Sequence, residues 1–169
     1  MKVAVLGYSG SGKSTLAREI GKRYGLPVLH LDTVQFEPGW QVRDREEGRQ
    51  IVRTFLAEHP DGWVIDGNYT GFYQQERLEA ADGIVLMLLP RVSCYLRARR
   101  RSKLYRGRTR PDMTDGCAEK FDRAFRHWIL WEGRTKPRRA HYRSIAKTYP
   151  GKTVILRSQR DIDRYLKTL

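Results

Sequence analysis

The sequence predicts an α/β fold in which a mostly parallel, five-stranded sheet is flanked by helices, and three observations predict it. Apolar runs of strand length recur along the chain, stretches with helical spacing separate them, and a glycine-rich segment falls between the first strand and the first helix. At 169 residues the chain has the length of one domain, and no repeat, linker or low-complexity segment divides it.

The elements follow in order. "KVAVL" is apolar and rich in Val, "GYSGSGKST" follows it, and "LAREIGKRYG" carries Leu16 and Ile20 at helical spacing with Gly25 as a stop. "PVLHLD", "WVIDGNY", "GIVLMLLP" and "KTVILRS" read as the second to fifth strands. Between them "RDREEGRQIVRTFLAEH" places Ile51, Val52, Phe55 and Leu56 on one helical face, and "EKFDRAFRHWILWEG" does the same with Phe121, Phe125, Trp128 and Ile129. Strands alternating with helices imply parallel βαβ crossovers.

Composition excludes several classes. No apolar stretch approaches the length of a membrane span, and the first residues lack the layout of a cleaved signal, so a cytoplasmic, membrane-free protein is expected. Two cysteines, Cys94 and Cys117, supply neither a disulfide framework nor a four-cysteine zinc site. The net charge of +14 is unevenly spread. Residues 1–85 hold 10 Lys and Arg against 12 Asp and Glu, whereas residues 86–169 hold 23 against 7. The excess centres on residues 97–110 and 134–143, and a local function there accounts for it as well as general nucleic-acid affinity does.

The chemistry-bearing motif is Gly7 to Ser14, "GYSGSGKS", which fits G-x-x-x-x-G-K-[ST] directly after a strand and before a helix. Residues Gly7, Tyr8, Ser9, Gly10, Ser11, Gly12, Lys13, Ser14 and Thr15 are the expected nucleotide-binding set. Glycines let successive amides curl around a phosphate, and the helix opening near Lys13 adds its unpaired N–H groups and positive dipole end. Lys13 reaches the β- and γ-phosphates of ATP, and Ser14 holds Mg²⁺. A carboxylate for that metal is expected at the end of a neighbouring strand. Asp66, closing "WVID", is assigned to Mg²⁺ against a plain turn role. Asp32, closing "VLHLD", reads equally as a metal or acceptor contact, a base for the acceptor hydroxyl, or a cap. His30 reads as packed.

"GYSGSGKST", "DGNY" and the Arg-rich segment after the fourth strand resemble the adenylate-kinase and shikimate-kinase group of small P-loop kinases. More narrowly, "LDTVQFEPGW", "VIDGNYTG", "RPDMTDGCAEKF" and "ILRSQRDIDRYL" are similar to the adenylate-kinase-related bacterial proteins labelled DNA topology modulation or FlaR-type. The resemblance implies a P-loop NTPase fold, nucleoside- or shikimate-kinase-like. It implies an acceptor-binding region at about residues 32–62 and a lid at about 104–120. Arg97 and Arg101 match arginines around the donor's base and phosphates, and Arg110 of "RP" matches a lid arginine. Lys13, Asp32, Arg101 and Arg110 are then the catalytic set. One departure concerns substrate: adenylate kinases follow the "DG" with an acceptor-phosphate Arg, but this chain has "DGNYT" and no Arg before Arg77. Arg43 or Arg45 is a possible substitute clamp, and Phe36, Trp40, Tyr69 and Phe72 are either an aromatic acceptor pocket or ordinary core.

Two expectations of function follow. The first is an ATP- and Mg²⁺-dependent phosphotransferase acting on a small molecule or nucleotide. The second is a nucleotide-binding protein whose basic half holds DNA or RNA, with Tyr105, Trp128, Trp131 and Tyr142 among the basic residues. A nucleotide sensor without transfer is disfavoured by an intact Lys13, Ser14 and Asp66.

Overall fold

The computed structural model describes Met1–Leu169. In chain order the strands are β1 (Lys2–Gly7), β2 (Val28–His30), β3 (Phe36–Glu37), β4 (Gln41–Val42), β5 (Trp63–Asp66), β6 (Gly83–Met87) and β7 (Thr153–Leu156). The helices are α1 (Lys13–Tyr24), α2 (Leu31–Gln35), α3 (Arg45–Glu58), α4 (Gln74–Ala80), α5 (Arg91–Leu104), α6 (Arg123–Leu130), α7 (Lys136–Thr148) and α8 (Gln159–Thr168).

Five strands form one sheet in the order β2-β5-β1-β6-β7, and every neighbouring pair is parallel. The register sets His30 beside Asp66, Gly7 beside Met87 and Met87 beside Leu156, so these residues share the carboxyl end of the sheet. That end is where open α/β sheets form their ligand crevices. β3 and β4 make a separate antiparallel hairpin that period-2 reading misses, because each strand is only two residues long.

The central strands are apolar along their whole length because helices cover both faces. Val5, Leu6, Ile65, Trp63, Leu86 and Met87 are buried and pack with Leu16, Ile20, Cys94, Ile129 and Leu156 in one continuous core. Each such aliphatic side chain contributes about 1.5–3 kcal/mol when fully buried. Helix ends obey local chemistry. Asp44 accepts from the backbone N–H groups of Glu46 and Glu47 to start α3, Gly25 takes a left-handed conformation to stop α1, and Ser158 with Asp161 forms a capping box on α8.

The second strand departs from the expected "VLHLD". It ends at His30, and Asp32 lies in the first turn of α2 rather than at a strand end. β2 is an edge strand whose only partner, β5, has no paired residue beyond Asp66. Gly67 follows at φ 133°, and a Cβ there would stand 2.7 Å from Leu31 Cβ, so the turning chain leaves room for Leu31 to enter the core. The helix expected at 119–133 is shorter, since Asp122 accepts from Phe125 N to start α6 and a 3-10 turn at Glu132–Arg134 follows it. No helix is long and apolar enough to cross a membrane.

Candidate functional site

The loop from Gly7 to Gly12 bends between β1 and α1 under close steric control. At Gly10, φ is 78° and a Cβ would lie 2.5 Å from the Cys94 carbonyl oxygen, so the α5 backbone and the loop approach as only glycine permits. Asn68 clamps the start of the loop: Gly7 N donates to its Oδ1 at 3.0 Å, and its Nδ2 donates to Gly7 O at 2.7 Å. Trp128 Nε1 donates to Ser9 Oγ at 3.0 Å. The Ser11 hydroxyl is buried without a partner. No side chain caps α1, and its first turn holds no acidic residue, which leaves its amides and dipole end directed at the loop's concavity.

Lys13 and Ser14 open α1. Lys13 Nζ donates to Tyr8 O at 3.1 Å. Burial lowers the Lys13 pKa, opposed by the nearby negative charges of Asp32 and Asp66 and assisted by Arg101. Ser14 Oγ donates to Asp66 Oδ2 at 2.8 Å, and the other Asp66 oxygen is hydrogen-bonded to His30 Nδ1. For His30, burial alone would lower the pKa, but the hydrogen bond and charge of Asp66, joined by Asp112, outweigh it and the net shift is upward. Thus a strand-end carboxylate, a helix-start hydroxyl and an orienting imidazole meet beside the loop.

Asp32 reaches the same neighbourhood from α2. Tyr69 Oη donates to Asp32 Oδ1 at 2.7 Å, and burial, then the Asp32 charge, pushes the phenol's pKa upward. Tyr69 is fixed in turn by Arg77, which is fully buried: its Nη2 donates to Tyr69 O at 3.0 Å and its Nε to Phe72 O at 2.7 Å. Burial lowers the Arg77 pKa to about 10. Of the four aromatics at the expected acceptor region, Phe72 is core and packs on Tyr69 at 5.6 Å, while Phe36 and Trp40 pack edge-to-face at 5.3 Å. Arg43 serves Glu37, Glu47 and the Val34 carbonyl, and so ties α3 to the hairpin.

The expected lid residues are held by carboxylates. Glu119, whose side chain is 2% exposed, receives Arg101 Nε at 2.7 Å and Arg110 Nε at 2.6 Å. Asp112 receives Arg110 Nη1 at 2.8 Å and Arg18 Nη1 at 3.4 Å. Burial alone would raise the Asp112 pKa, but the charges of Arg110 and Arg18 overcome it and hold the carboxyl below its ordinary value. Burial and the charge of Arg110 lower the Arg101 pKa against the pull of Glu119. Arg97 instead donates to Ser11 O at 2.9 Å and lies against Gly12. Arg99, Arg100 and Arg106 are exposed.

Between α5 and α6 the chain is irregular, with one bridge, Thr109 to Ala118. It is fastened to the hairpin region: Thr114 Oγ1 donates to Phe36 O at 2.6 Å, Gly39 N to Gly116 O at 3.2 Å and Trp40 Nε1 to Ala118 O at 3.0 Å.

Sequence reasoning assembled Lys13, Ser14, Asp32 and Asp66 in one place, and the fold brings them together. It missed Asn68, Tyr69 as the partner of Asp32, His30 as the partner of Asp66, and the carboxylates Glu119 and Asp112. The "DGNY" that follows the third predicted strand is the sequence signal for Asn68 and Tyr69. An Arg-rich run whose few neighbouring acids are Asp112, Asp115 and Glu119 was the signal for the ion pairs.

The chain matches no protein-family model and no curated protein sequence. Among solved structures it is similar to an uncharacterized protein from Eubacterium ventriosum, with a TM-score of 0.57 and 15% identity over 99% of this chain and 94% of that one. That likeness is one of fold alone.

Proposed function

We propose that this chain is an ATP- and Mg²⁺-dependent phosphotransferase of the P-loop class, acting on a small hydroxylated or nucleotide acceptor. The observation that carries the reading is the junction of Lys13, Ser14 and Asp66 at the uncapped start of α1, behind a loop whose Gly10 leaves no room for a side chain. The donor set fits the group. Ser14 Oγ and Asp66 Oδ2 are two adjacent oxygen ligands of the hard type Mg²⁺ takes, with phosphate and water supplying the remainder.

Bound ATP supplies the transferable phosphoryl, and its Mg²⁺ counters charge on the phosphate oxygens. The loop amides and the first turn of α1 hold the phosphates by hydrogen bonds and dipole. Asp66 and Ser14 hold the metal, and His30 fixes the orientation of the carboxylate. Lys13 carries the ammonium charge that stabilises the oxygens of the migrating group. Asp32, oriented by Tyr69, accepts the hydrogen of the acceptor hydroxyl and aligns it. Arg101, whose charge is felt at Lys13, adds positive charge from the lid side, and Arg110, fixed between Glu119 and Asp112, holds the lid segment beside it.

The test is an acceptor screen. The protein is incubated with ATP, Mg²⁺ and a panel of nucleoside monophosphates and hydroxylated metabolites, beside a Lys13→Ala control. The reading expects one acceptor class to be phosphorylated by the wild type and about 10²–10³ times more slowly by the control. A panel on which the two proteins never differ removes the reading.

A further inference from the structure

A cavity opens at the carboxyl ends of β6 and β7, between the Tyr8 ring and α7. It has a volume of about 320 Å³ and is lined by Tyr8, Tyr142 and Ile155 with three arginines, Arg139, Arg143 and Arg157. Arg139 and Arg143 stand four residues apart and so share one face of α7, and Arg157 directly follows β7.

These arginines are uncompensated. None of the molecule's ion pairs involves any of the three. The sequence holds no Asp or Glu between Glu132 and Asp161. Asp161 is already engaged, since its Oδ2 accepts from Arg157 N and Ser158 N at 2.9 Å each. Three guanidinium groups around one small space repel one another until an anion joins them, and their planar forks match phosphate oxygens two at a time.

The remaining wall gives the rest of the ligand. Tyr8 and Tyr142 meet edge-to-face at 5.3 Å, and Ile155, Leu88 and Ala146 complete an apolar lining. Tyr142 and Ala146 share the α7 face of Arg139 and Arg143, and Ile155 precedes Arg157, so apolar surface lies directly beside the guanidinium groups and suits a molecule with a flat or apolar body and a phosphate at one end. The volume lies at the small end of the roughly 300–1,000 Å³ usual for ligand pockets, which favours one ring system and one phosphate over a polymer. Arg139, Arg143 and Arg157 are exposed, so replacing them leaves the core unaltered.

We propose that this cavity is a further ligand site, beside α7 and sharing only Tyr8 with the Gly7–Ser14 loop, for a small phosphomonoester of mononucleotide size. The experiment is calorimetric titration of the full chain carrying Lys13→Ala with AMP and with inorganic phosphate, repeated with Arg143→Ala and Arg157→Ala added. No turnover is needed, and because AMP also belongs to the acceptor panel, its response to the two arginine changes, not its binding as such, separates this cavity from the phosphotransferase site. AMP is expected to bind the Lys13→Ala protein, inorganic phosphate to bind more weakly, and the two arginine changes to weaken AMP by about tenfold or more. Absence of AMP binding at millimolar concentration overturns the proposal, as does binding that ignores both arginine changes. A single-stranded oligonucleotide held through these arginines with steep salt dependence, in place of AMP, overturns it too and assigns the surface to a polymer.

Discussion

Ser14 Oγ donates to Asp66 Oδ2 at 2.8 Å, joining the first turn of α1 to the end of β5 across 52 positions of sequence. This one contact sets two oxygens beside the glycine-rich loop, and His30 holds the remaining Asp66 oxygen. If the pair holds Mg²⁺, replacing His30 by Ala frees the carboxylate to turn. The Mg²⁺ concentration for half-maximal phosphotransfer should then rise by about 10–100-fold with little change in the rate at saturating metal. A magnesium titration of both proteins reads this directly, and an unchanged midpoint removes His30 from that role.

Gly10→Ala should destabilise the chain by about 1–3 kcal/mol, because its φ of 78° strains an L-residue and the new methyl would meet the Cys94 carbonyl at 2.5 Å. In a domain of this size each kcal/mol shifts the melting temperature by about 2–4 °C. A thermal melt within 1 °C of wild type would show that the loop relaxes away from α5.

Asn68 both donates to and accepts from Gly7. Asn68→Ala leaves two backbone groups of a buried residue unpaired, at about 1–3 kcal/mol. Asn68→Asp keeps the acceptor but sets a carboxylate oxygen against the Gly7 carbonyl. It should be at least as unstable at neutral pH and should recover partly as the carboxyl protonates and regains a donor. Urea denaturation of both variants at neutral and mildly acidic pH measures the crossover.

Asp112 gives a pH dependence of definite sign. Its folded-state pKa is held below the ordinary 3.8 by Arg110 and Arg18, so its contribution to stability is fully present above that value and is lost as pH falls through the lower folded one. The stability gap between wild type and Asp112→Asn should therefore widen as His30, whose upward shift Asp112 supports, gains its proton on acidification from neutrality, and close below the unfolded carboxyl's pKa. A gap that closed near pH 6 would mean that another group governs it. Glu119→Gln should be the harsher change, about 3–5 kcal/mol, since two guanidinium groups then lose their shared buried carboxylate.

These contacts mark what sequence could and could not disclose. The five parallel strands were legible because buried strands are uniformly apolar, and the loop was legible because its glycines, Lys13 and Ser14 sit at fixed offsets. Asp66 was legible as a carboxylate closing an apolar run. The break after His30 was not, since Leu31 continues the apolar pattern and only the absence of a ladder partner beyond Asp66 ends the strand. The Arg101–Glu119–Arg110 cluster is hidden for another reason: its members are 9 to 18 residues apart, one on α5 and two on the irregular chain after it, where no periodicity pairs them. The fully buried Arg77 was invisible as such, because nothing local distinguishes a charge that serves two carbonyls from one in solvent.

Phosphorus NMR tests the central claim most directly, with the wild type and Lys13→Ala each followed in ATP, Mg²⁺ and the acceptor class found by screening. The account predicts that the γ-phosphate resonance of ATP declines in step with a new resonance of the phosphorylated acceptor, a phosphomonoester for a hydroxyl acceptor or a diphosphate for a nucleoside monophosphate, and that Lys13→Ala slows both by about 10²–10³-fold. Loss of the γ-phosphate to inorganic phosphate alone, or a phosphorylated acceptor formed equally well by Lys13→Ala, would contradict it.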